Sequence, residues 1–268
     1  MRGVPVLAYH GITTTRDASL TNLRRLHIWE ARFEEHLHVL RSRWRPMSLS
    51  ALCEATESRR TVPSRSVVVT LDDGYRNVLT TAVPLLKQFA VPATIFVLTG
   101  VESGRRLWID RLEAVIAASS APSLEWDERT FSLTSDSGKA EAIRALVPVF
   151  ARLRSQRESA LERLRMLLGN PPDHRDPDRD LLTWDEVRTI RDTGLEIGSH
   201  AHLHEPLTQL SVEEAGSSLL ASYKTLEREL GRGRYALSYP YGAWNDSVAE
   251  AAREAGKLAN QLGVRLHA

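Results

Sequence analysis

Apolar side chains recur along this chain in two alternating rhythms. Residues 66–71 read SVVVTL, apolar on both faces of an extended chain, and residues 4–10 (VPVLAYH) and 93–100 (ATIFVLTG) are similarly rich in strand formers. Runs of this kind mark strands buried on both faces of a parallel sheet. Between them the spacing changes. Ile28, Phe33, Leu37 and Leu40 recur at near-helical intervals across 28–43, and shorter helical stretches follow at 50–55 and 78–90. Strand and helix in alternation predict an α/β domain whose parallel strands are covered by helices.

The rhythm breaks between about 105 and 180. Residues 106–118 and most of 139–169 read as helix, 125–135 as a hairpin, and 170–180 (NPPDHRDPDRD) as a turn-rich linker. This stretch is expected to be an insertion within a single domain spanning 1–268, placed just after a strand where it would cover the active face. Arginines at 152, 154, 157, 163 and 165 alternate with leucines, a pattern of a solvated helix face. Trp108 and Trp126 read as packing residues, ahead of a role in stacking on a ligand. The α/β rhythm resumes at Thr183, which with Glu186 makes a capping box for a helix over 183–194; Ser211 and Glu214 make another over 211–230. Strands are expected at 195–200 and 235–242, and a last helix at 247–256.

Composition narrows the classes. With 35 basic and 34 acidic side chains the net charge is +1, which gives no reason to expect nucleic acid or an anionic membrane as a partner. One cysteine, Cys53, excludes an internal disulfide framework. No apolar run reaches the length of a transmembrane segment or signal peptide, so the expectation is a cytoplasmic chain.

Chemistry is concentrated where two strands end. The first run closes on Asp72, Asp73 and Gly74, two like charges side by side as a strand leaves the core. The strand over 195–200 closes on His200, His202 and His204. A single helical turn would put His200 and His204 on one face and turn His202 away. A carboxylate with two imidazoles makes a three-ligand site with open positions, as in catalytic metal centres. A cation there would neutralise one aspartate and leave its neighbour ionised as a base. No G-x-S-x-G elbow, H-E-x-x-H helix or P-loop is present.

These motifs carry a resemblance. TLDDGY, SHAHLH and YPYGAWN at 239–245 are similar, in order and spacing, to the first three motifs of the polysaccharide deacetylase family (the NodB-homology domain, carbohydrate esterase family 4), and the likeness covers roughly 4–104 and 181–256. It implies a distorted (β/α) barrel of seven or eight strands and metal-dependent removal of acetyl groups from an N-acetylated glycan or glycoconjugate. By the same likeness Asp73, His200 and His204 would bind the cation, Zn2+ ahead of Co2+ or another divalent ion. Asp72 would be the base and the Tyr241 backbone N–H an oxyanion donor, with Pro240 and Tyr75 on the substrate side. Pro240 would stiffen the turn, and Gly242 would permit a close backbone approach.

The chain also departs from that pattern. Many members carry an arginine that braces the base aspartate where this sequence has Ser238, so Asp72 is expected to be oriented by something else. The further strands with their general-acid histidine are missing. The terminal Leu266 and His267 resemble that motif but arrive early, and His10 is the preferred substitute as general acid. The barrel is therefore expected to be open, with room for a second copy of the chain to complete it. Two other readings remain: a weak or inactive member that binds carbohydrate in the same groove, and a metal-dependent amidohydrolase acting on a small molecule.

Overall fold

The computed structural model describes residues 3–15, 20–101, 105–172, 176–261 and 265–267, with side chains up to Ala255 except that of Asp178. The chain divides into two compact units: residues 1–15, 27–105 and 181–268 in the first, and 16–26 with 106–180 in the second. Its helices are α1 (Glu30–Arg43), α2 (Leu49–Glu57), α3 (Val83–Gln88), α4 (Trp108–Ala118), α5 (Asp136–Arg152), α6 (Arg157–Leu167), α7 (Trp184–Asp192), α8 (Val212–Leu230) and α9 (Asp246–Gln261).

The first unit is built on parallel strands: β1 (Val6–Tyr9), β2 (Ser66–Leu71), β3 (Thr94–Val97), β4 (Glu196–Ser199), β5 (Arg234–Ala236) and β6 (Arg265–His267). Pairing runs β1 to β2 with Val6 opposite Val68, then β2 to β3 with Thr70 opposite Thr94, then β3 to β4 with Thr94 opposite Glu196. A single bridge between Ser199 and Leu237 carries the order past β4, and β5 pairs with β6 in parallel. Among the described residues the path does not return to β1, so the barrel is open. The chain nevertheless adds one strand beyond the expected last helix, because β6 docks beside β5. The side chain of His267 lies outside the described residues.

Every residue of β2 and β3 is buried, as their doubly apolar faces require. Phe33, Leu37 and Leu40 turn the inner face of α1 to the core. Both expected capping boxes are present, Thr183 with Glu186 before α7 and Ser211 with Glu214 before α8. The helix expected over 78–90 is broken into a wide π turn, Val78–Ala82, and the short α3. Pro84, which has no N–H to donate, sits in the first turn of α3, where that lack is tolerated. No helix among the described residues is long and apolar enough to cross a membrane.

The second unit packs α4, α5 and α6 with a hairpin of Ser123–Trp126 and Arg129–Ser132. Trp108 and Trp126 are both buried; Trp126 lies 5.1 Å from the Phe150 ring. Arg157 corrects the solvated-face reading. It is buried, donates to the carbonyls of Phe150 and Ala151, and lies over the Trp108 ring. Arg24 reaches Asp110 at 3.1 Å and Glu113 at 3.2 Å, both buried on α4.

Candidate metal centre

The centre forms where β2 and β4 end. The Asp72 N–H donates to the Tyr9 carbonyl at 2.8 Å, which extends the β1–β2 ladder by one residue. The chain then turns sharply: Asp73 has φ 71° and Gly74 φ 75°, left-handed conformations that aspartate tolerates better than most residues and glycine accepts freely.

On the opposite strand end, the His200 N–H donates to the Val97 carbonyl, continuing the β3–β4 pairing. Residues 200–206 do not form the expected helical turn. Ala201 (φ 61°) and His204 (φ 54°) are left-handed, so a loop and not a helix aims both imidazoles inward. His202 does point away. Its Nδ1 lies 3.0 Å from the Thr99 hydroxyl and its ring packs over Gly100, where a Cβ would come within 2.5 Å.

Three donor atoms converge. Asp73 Oδ1 lies 3.2 Å from Nε2 of His200 and 3.2 Å from Nε2 of His204, all three residues are buried, and the set fits within 4.8 Å. Nδ1 of His200 faces the Ser238 carbonyl at 3.0 Å, an acceptor only, so this nitrogen carries the proton and Nε2 presents a lone pair. Nδ1 of His204 is 3.2 Å from the Tyr241 hydroxyl, and the two rings lie 4.6 Å apart. An Nε2 lone pair of His200 facing a carboxylate oxygen at this range is accommodated by a positive charge between them. Donors about 2.1 Å from one tetrahedral ion would lie about 3.4 Å apart. The residues fit a small divalent cation.

The neighbouring aspartates sit in different fields. Burial alone would raise the Asp73 carboxyl, but the His204 and His200 rings beside it hold it well below its ordinary value. Burial opposes charge on His200 too, yet the Asp73 carboxylate lifts its pKa. Asp72 goes the other way: burial raises it and Asp73 adds to the rise, while His200, His10 and a hydrogen bond from Ser238 counteract. Asp72 Oδ2 accepts from the Ser238 hydroxyl at 3.1 Å, and its Oδ1 is buried with no hydrogen-bond partner.

His10, at the end of β1, is near enough for its charge to act on Asp72. Tyr241 is half exposed, with φ 61°. Gly242 has φ 62° and open space where a Cβ would stand, so its conformation alone calls for glycine. Two further expectations are corrected. Tyr75 is fully buried, its ring 4.6 Å from that of His27, and Pro240 is buried at the turn, so neither side chain is available to substrate. The brace for Asp72 is Ser238 itself, where the sequence reading looked elsewhere. The Ser199–Ser222 hydroxyl pair at 2.7 Å, beneath His200, also escaped that reading. Its one signal was a serine beside Tyr223 and Leu226 on the apolar stripe of α8.

The sequence model of the family described as polysaccharide deacetylase matches residues 59–117 and 123–259. Among solved structures, the chain is similar to IcaB from Ammonifex degensii, with a TM-score of 0.60 and 19% identity over 95% of this chain and 81% of that one. It is also similar to the Streptococcus pyogenes deacetylase PplD in complex with acetate (TM-score 0.58, 17% identity, 94% and 80% covered). A third likeness is to a de-N-acetylase from Aggregatibacter actinomycetemcomitans (TM-score 0.56, 18% identity, 94% and 85% covered). At these identities the likeness establishes a shared fold. No curated protein matches the chain.

Proposed function

Because the chain belongs to the polysaccharide deacetylase family, we propose that it is a metal-dependent hydrolase that removes acetyl groups from an N-acetylated polysaccharide or glycoconjugate. Asp73, His200 and His204 hold the divalent cation, Zn2+ ahead of Co2+, and Asp72 is the general base. One observation carries this reading: Asp73 Oδ1 stands 3.2 Å from two imidazole nitrogens while the adjacent Asp72 keeps a buried, unpartnered oxygen. A cation bound there supplies Lewis acidity, polarising the acetyl carbonyl and making a water more acidic.

The other roles belong to the chain. Asp72 Oδ1 accepts the proton of the attacking water, since Oδ2 is occupied by Ser238. The Tyr241 backbone N–H donates to the oxyanion that develops on the carbonyl, and His10 protonates the departing amine. The exposed indole of Trp244, three residues beyond Tyr241, offers an apolar face on which a sugar ring can lie.

The test is acetate release from a panel of N-acetylated chito-oligosaccharides and N-acetylglucosamine, with zinc supplied. Release is expected to favour the oligomers, to stop with a chelator and return with zinc, and to fall by about 10²-fold or more in Asp72→Asn. Release indifferent to both chelator and substitution overturns the mechanism. Sugar binding without release from any member of the panel moves the chain to the non-catalytic reading.

A further inference from the structure

Ser238 touches three parts of the centre at once. Its backbone N–H donates to the Ser199 carbonyl at 2.9 Å, where β4 ends. Its own carbonyl accepts from Nδ1 of His200 at 3.0 Å, and its hydroxyl donates to Asp72 Oδ2 at 3.1 Å. A backbone pinned on both sides fixes where the Cβ stands, and from there the hydroxyl reaches Asp72 Oδ2. That contact decides which Asp72 oxygen is committed and which is left to act, because Oδ1 has no partner of its own. The contact comes from a small neutral group at a position from which no brace was expected.

We propose that Ser238 is the positioning residue of this centre, tying the orientation of the base Asp72 to that of the ligand His200 through a single peptide segment. The inference rests on the deacetylase reading for the role of Asp72, but the linkage itself is geometric. Hydroxyl and carbonyl make separable contributions: the hydroxyl serves the base, while the carbonyl serves the cation ligand. Removing the hydroxyl alone must therefore disable the base without loosening the ligand.

Ser238→Ala removes the hydroxyl and keeps both backbone links; Ser238→Thr restores a hydroxyl. Three quantities are read on the full chain: zinc affinity, affinity of the zinc-loaded protein for acetohydroxamate, and kcat and KM for acetate release from 4-nitrophenyl acetate. In Ser238→Ala, kcat is expected to fall about 10- to 100-fold with KM unchanged, and hydroxamate affinity to fall about tenfold. Zinc affinity is expected to stay within about threefold, and Ser238→Thr to recover most of both losses. An alanine variant that matches the parent in kcat and hydroxamate affinity overturns the proposal. So does one whose zinc affinity collapses together with kcat, or a threonine variant as impaired as alanine. If the parent chain releases acetate neither from this ester nor from the N-acetylated oligosaccharides, the deacetylase reading fails by itself, and the zinc and hydroxamate measurements still decide the role of Ser238.

Discussion

Asp72 and Asp73 are chemically identical and adjacent, yet burial raises one while two imidazoles lower the other. Environments that push two carboxyls apart divide their labour between base and ligand. A third acid, Glu113, shows the same physics in the second unit. Burial pushes its carboxyl up from 4.5 to about 7, with Asp110 adding to the rise and Arg24 and Arg179 opposing it. Its Oε2 is buried without a hydrogen-bond partner. Below pH 4.5 folded and unfolded chains both hold the proton; from there to about 7 the folded chain keeps one that the unfolded chain has released. Stability therefore falls as pH rises through that window and levels above it. Glu113→Gln is expected to flatten this dependence by on the order of 3 kcal/mol, read as the difference in denaturant stability between pH 5 and pH 8. An unchanged slope would show that the acid is not the source. That these acids carry charge was plain from the sequence; which of them loses its solvent was not, and the same blindness put Tyr75 and Pro240 on the substrate side.

Among elements, the local signals were the most legible. The capping box before α7 is present as Thr183 accepting from the Glu186 N–H, and Glu186 accepting from the Thr183 N–H. Glu186 also pairs with Arg76 at 2.8 Å, which ties the start of α7 to the loop after β2 that carries Asp72 and Asp73. Thr183→Ala is expected to lower stability by about 1 kcal/mol, measured by urea unfolding. A variant as stable as the parent would mean that the Glu186 contacts alone hold the helix start. At 200–206 the element reading failed because left-handed residues intervene. Histidines four apart suit one helix face, but Ala201 and His204 leave the helical region, and the imidazoles meet by way of a loop. Asp73, Ala201, His204 and Tyr241 all have positive φ, a cluster of backbone strain at the centre of the kind that surrounding structure must hold in place.

For the molecule as a whole, the centre staples remote segments. Asp73 lies beyond β2 and the histidines beyond β4, so a cation bound by all three favours the folded chain over the unfolded one. Zinc at about 100 times its dissociation constant is expected to stabilise the first unit by about 2.7 kcal/mol, seen as a raised unfolding midpoint that a chelator reverses. Asp73→Asn should abolish that response; a zinc shift of equal size in this variant would place the cation elsewhere.

The identity of the strands, the helix caps and the residue types gathered at two strand ends were written in short windows of sequence, because periodicity and capping depend on neighbours a few positions away. Burial of Tyr75, the partnerless oxygen of Asp72 and the hydroxyl of Ser238 against its partner oxygen depend on distant segments packing together. No local window contains those distances, so they came only with the folded chain.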